Sequence, residues 1–177
     1  NYTKKVHPAN EISFNTMGWT AHNDPYFDMI STDYSITPGV WNHLVVCHDD
    51  GNIQKMYLNG RKVAQVAFTK SSRREESRDS RIQTHIPADI FIGGGGVYKS
   101  GFNGVIDEVQ IWNKSLSDDE VKQAMKGFKE DNIPANLMGY FTFETKEGDN
   151  IFPNLGKGGA DYKAHLVVMA NSGGEDT

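Results

Sequence analysis

Phe102-Asn103-Gly104-Val105-Ile106-Asp107-Glu108-Val109-Gln110-Ile111-Trp112 reads as the longest strand pattern of the chain, and Asn113-Lys114-Ser115-Leu116-Ser117 leads from it into a helix. Along that strand Val105, Asp107, Val109 and Ile111 fall on one face, because successive residues of a pleated strand point to opposite sides. That face is expected to be buried. Ser117-Asp118-Asp119-Glu120 has the spacing of a capping box, a serine oxygen for an orphan amide and a glutamate three residues on that reaches back. Val121, Ala124, Met125 and Phe128 follow at helical spacing, giving one apolar stripe suited to packing on a sheet.

The flanking sequence repeats short strand patterns between turn residues. Glu11 to Met17 alternates, with Ile12, Phe14 and Thr16 on one face, and Tyr26 to Ile36 is a second run interrupted at Ser31 to Asp33 and stopped by Pro38-Gly39. Trp41 to His48, Ile53 to Leu58 and Lys62 to Phe68 are joined by Asp49-Asp50-Gly51-Asn52 and Asn59-Gly60, residue types that accept φ > 0 or bond their own backbone. Three strands and two tight turns make an antiparallel meander. Asp89 to Gly93, Leu137 to Phe143 and His165 to Met169 are further strands, whereas Lys70 to Gln83 reads as a solvated loop and Gly173 to Thr177 as a tail. The tract Gly93 to Gly96 is a bulged or flexible loop, since it lacks the lysine and hydroxyl of a phosphate-binding loop.

Composition agrees with a folded β-rich domain. The chain has 177 residues, long enough for one sandwich and too short for a multidomain machine. Its 18 glycines favour a turn-rich fold. With 18 lysines and arginines against 23 acidic residues the net charge is -5, which disfavours nucleic acid as a partner, because phosphate binding relies on a basic face. The single cysteine, Cys47, rules out an internal disulfide framework, and its mid-strand place makes it a small core residue rather than a nucleophile. No apolar run approaches the length of a transmembrane helix. The start at Asn1 suggests a processed piece, so the lack of a signal peptide says little about compartment.

Four runs together resemble one superfamily, the concanavalin A-like lectin/glucanase jelly rolls, in its laminin G-like and pentraxin-like branch. Trp41-Asn42-His43-Leu44-Val45-Val46 is similar to its W-x-H-L/V strand, Met56-Tyr57-Leu58-Asn59-Gly60 to its Y-x-D/N-G hairpin, and Ile90-Phe91-Ile92-Gly93 to its L-x-I-G strand. Phe102 to Val121 resembles the F-x-G-x-I-D-E-V-x-I-W ending with its L-S-x-x-E-I continuation. The resemblance implies an all-β antiparallel jelly-roll sandwich with one short edge helix, with Trp41 and Trp112 in its core. The family's usual opening strand is not seen at the start of the chain. Something like it stands at Tyr140-Phe141-Thr142-Phe143-Glu144, followed by Asn154-Leu155-Gly156. The expectation is one domain over residues 1–177, truncated or permuted, with residues 137–170 supplying the strand that usually opens the fold.

The same resemblance brings glycoside hydrolases into view and a reason to set them aside. Glycosidic cleavage uses two carboxylates flanking one bond, and Asp107 and Glu108, adjacent on a strand, point to opposite faces. No nucleophile elbow is present, and His43 and His48, five residues apart, also face opposite ways. Two readings of Asp107 remain, a structural aspartate held by backbone amides or a calcium ligand. Calcium is the ion such lectin-like rims bind, with Asn23, Asp24 and Asp28, or Asp49, Asp50 and Asn52, as further oxygen donors. For a sugar, Trp19, His22, Asn23, Asp24 and Tyr26 bring an indole, an imidazole, an amide and a phenol into one loop, and Tyr98 beside Lys99 is a second choice. Packing is the competing role for Trp19. The resemblance thus implies a non-catalytic carbohydrate-binding or adhesion module of an extracytoplasmic protein, whether secreted, periplasmic or on a bacterial surface, with a glycan or cell-surface polysaccharide as partner. A structural module that contacts other protein modules of its parent chain, without a sugar site, is the alternative.

Overall fold

The computed structural model describes residues 11–19, 25–49, 53–67, 90–94, 102–144, 150–159 and 162–165. Its sheets are antiparallel and one short α-helix accompanies them, as the strand and turn patterns predict. The chain divides into two compact units, Asn1–Gln83 with Lys114–Gly127, and Thr84–Asn113 with Phe128–Thr177.

In the first unit β1 (Glu11–Trp19) pairs with β2 (Pro25–Ser35) as a long hairpin. The interruption expected at Ser31 to Asp33 is a bulge rather than a break: Ser13 faces Ser31 and Glu11 faces Ser35, so two steps along β1 span four along β2. Extra residues of this kind bend a strand without ending it. The meander forms as expected from β3 (Leu44–His48), β4 (Ile53–Leu58) and β5 (Arg61–Ala67), with β4 central. Between β4 and β5, Asn59 and Gly60 take φ of 51° and 75°. Positive φ at both positions is what a two-residue turn matched to strand twist requires, and asparagine and glycine tolerate it.

Met56, fully buried on β4, meets Ile12 of β1, and Ile36, Leu58, Val63 and Ala64 pack around them. Burying such side chains contributes roughly 1.5–3 kcal/mol each. Cys47 and Tyr57 occupy the other parity of the meander and are also buried. The Tyr57 hydroxyl donates to Asp118 Oδ1 at 2.8 Å, and Lys62 Nζ lies 3.7 Å from the same oxygen. Burial and the Asp118 contact both raise the Tyr57 pKa, so the phenol stays protonated.

The helix α1 (Asp118–Ala124) begins where its cap predicts. Glu120 N donates to Ser117 Oγ at 3.3 Å and Ser117 N donates to Glu120 Oε2 at 2.9 Å. Val121 and Ala124 are buried, but the apolar stripe is shorter than its spacing suggests. Met125 is exposed, and Gly127 takes a left-handed φ of 70°, a common way for a helix to stop. Phe128 therefore lies beyond the helix.

In the second unit β6 (Val109–Trp112) pairs with β7 (Leu137–Phe141). The long strand expected from Phe102 is cut to its last four residues. Glu108 adopts φ of 55°, and its amide donates to Asp107 Oδ1 at 2.8 Å instead of to a neighbouring strand. Residues 102–108 and 90–94 lie outside any strand, although Phe102 N donates to Gly93 O. Asp107 is consequently exposed, not on a buried face.

Leu137, Tyr140 and Ile133 form the core here, with Trp112, Phe128 and Leu155 against them. The rings of Trp112 and Phe128, and of Phe128 and Tyr140, meet edge to face at 5.8 Å and 6.1 Å, a favourable arrangement of aromatic quadrupoles. Asn154 holds the outer side of β7: its Oδ1 accepts from Tyr140 N and from Gly156 N, and its Nδ2 donates to Met138 O. A Cβ on Gly156 would stand 2.5 Å from Met138 O, so only glycine allows this approach. A short pair, β8 (Ile151–Phe152) and β9 (Ala164–His165), completes the unit's described strands. Residues 166–169 of the expected last strand lie outside the described residues.

Candidate functional site

The β1–β2 hairpin carries three of the residues singled out from the sequence for a ligand or ion. Trp19 faces Pro25 at the mouth of the hairpin, Tyr26 faces Gly18, and Asp28 faces Thr16. Trp19 and Tyr26 thus occupy successive rungs, and successive rungs belong to opposite faces of a ribbon. They do not share one face. His22, Asn23 and Asp24, in the connecting loop, and Tyr98 lie outside the described residues, as do Asp50 and Asn52.

For calcium, Asp49 has local employment. Its Oδ1 accepts from Ile53 N at 3.0 Å, its Oδ2 lies 3.5 Å from Lys55 Nζ, and its amide donates to Ile53 O. These contacts hold the end of β3 to the start of β4. Asp107 Oδ1 accepts from the Glu108 amide, on exposed backbone outside any strand rather than on the buried face expected for it. Among the described residues no three histidine, cysteine, aspartate or glutamate side chains are grouped to hold a metal.

The carboxylates of the Asp-Glu pair are both taken up locally. Glu108 Oε2 accepts from the Tyr140 hydroxyl at 2.5 Å, and that hydroxyl in turn accepts from Phe128 N at 3.1 Å. Burial and the neighbouring Glu108 raise the Tyr140 pKa, so it remains a donor. This chain ties the start of β6 to the core. His43 is half-buried, and burial lowers its pKa. Its backbone is fixed by two bonds with Asn59, through His43 N to Oδ1 and Asn59 N to His43 O.

Trp41 is the residue that sequence reasoning misplaced. Expected in the core, it is 69% exposed, and its neighbour Val40 is exposed too. The turn before it has proline at its second position and, at its third, Gly39 with φ of 78°, the left-handed value that a type II turn needs there. Asn42 then locks the loop: Oδ1 accepts from Thr37 N at 3.3 Å, and Nδ2 donates to Thr37 O at 2.8 Å and Val40 O at 2.9 Å. The indole is presented just before β3, a strand whose Leu44 and Val46 are also exposed. Pro38-Gly39 was the available signal, because a turn so close to Trp41 places it before the strand rather than within it.

Among the described residues no helix is long and apolar enough to cross a membrane. Residues 1–122 match a laminin G-type family described as the concanavalin A-like lectin/glucanases superfamily. A similar solved structure is the 2.1 Å crystal structure of an S-layer domain-containing protein, residues 221-444, from Clostridium thermocellum. It is 23% identical over 64% of this chain and 50% of that one, with a TM-score of 0.33, so this chain spans half of its length. No curated protein matches the chain.

Proposed function

The chain belongs to the concanavalin A-like lectin/glucanases superfamily, and on that basis we propose that it is a non-catalytic carbohydrate-binding or adhesion module of an extracytoplasmic protein, with a cell-surface glycan as its partner. The observation that carries this reading is the exposed Trp41 indole on a turn locked by Asn42. A rigid aromatic face loses little conformational freedom when a sugar ring's C–H groups stack on it, and loop polar groups can reach the hydroxyls. Trp19, at the end of β1, is the second platform, with His22, Asn23 and Asp24 as its polar company, while Tyr26, on the next rung, and Tyr98 are separate contacts. Calcium held by Asp24, Asp28 or Asp107 would add oxygen coordination at the rim.

Two features argue against catalysis. Asp107 and Glu108 each spend an oxygen on a local bond, to a backbone amide and to the Tyr140 hydroxyl. A glycosidase instead sets its two carboxylates on either side of one bond, about 5–9.5 Å apart.

A second reading, a protein-interaction module, draws support from the aliphatic company of Trp41. Val40, Leu44 and Val46, close to it along the chain, are exposed too, and exposed apolar surface is a mark of protein contact sites. A glycan array, run with calcium and again with chelator, separates the readings. Retention of a glycan class, lost in Trp41→Ala or Trp19→Ala at unchanged melting temperature, is the expected result. A folded protein that retains no glycan in either condition would overturn the carbohydrate reading in favour of the second, and equal retention with chelator would remove calcium from it.

A further inference from the structure

We draw no further inference here: the strongest candidate, the exposed apolar patch of Ile90, Phe91, Ile92, Phe102 and Val105 beside the Gly93 turn in the second unit, carries none, because nothing in the structure shows what covers it.

Discussion

Trp41 and Tyr140 are both large aromatic side chains, and their surroundings give them opposite weights. Tyr140 is 2% exposed and its hydroxyl satisfies Phe128 N while donating to Glu108. Tyr140→Phe keeps the ring and removes both bonds, leaving a half-buried amide without its acceptor, which costs roughly 1–3 kcal/mol. Urea unfolding should show that loss as a lower midpoint with an unchanged slope. Trp41 meets solvent over most of its surface, so Trp41→Ala should move stability by no more than about 0.5 kcal/mol in the same measurement. A loss of several kcal/mol at Trp41 would mean that its indole is buried after all, and the binding platform would go with it.

Helix α1 and the meander show what single elements owe to local chemistry. The Glu120 carboxylate pairs with Lys114 Nζ at 2.6 Å and accepts from Ser117 N, contacts that bring its pKa down to about 2 from an ordinary 4.5. A carboxyl held lower in the folded chain than in the unfolded one stabilises the fold fully above about pH 4.5, and this contribution fades as pH falls toward 2. Because the side chain is 43% exposed, solvent screening limits the effect to about 0.5–1 kcal/mol. Glu120→Gln should therefore unfold more easily than the parent at pH 7, and the gap between the two midpoints should shrink as pH falls below about 4.5 and close as it passes through about 2. A gap that persists at low pH would assign the stabilisation to packing rather than charge.

Much of this element was readable in advance. Ser117 and Glu120 are three residues apart, and Asn59-Gly60 are neighbours, so their partners are within the same turn and the spacing alone names them. The stop at Gly127 and the short β6 were not readable in the same way. Strand length at Phe102 to Trp112 depends on whether each amide finds a partner on another strand, and the Glu108 amide turns to Asp107 instead. Alternation of apolar residues cannot report that choice. The candidate site was less legible still: Trp19 and Tyr26, expected together in one loop, lie on the paired strands β1 and β2, on successive rungs, because Trp19 pairs with Pro25 and Tyr26 with Gly18.

For the whole molecule, a single cysteine means that stability rests on packing and hydrogen bonds. Cys47 is buried on β3. Its thiol should react slowly with a disulfide reagent in the native protein and stoichiometrically after unfolding in urea, while added reductant leaves the melting temperature unchanged. Rapid reaction in native conditions, or a shift with reductant at a fixed protein concentration, would contradict a buried thiol that takes no part in a crosslink.

The net charge of -5, the antiparallel strand rhythm, the Asn59-Gly60 turn, the capping box and the superfamily motifs were determined by the sequence alone, because each depends on composition or on residues a few positions apart. Which aromatic side chains are buried was decided only by tertiary structure. Trp112 joins a core with Phe128 and Tyr140, whereas Trp41 is turned outward by a loop that Asn42 holds. Burial is settled by partners far away along the chain, as when Tyr140 finds Glu108 across 32 positions, and no local pattern encodes which distant partner will arrive.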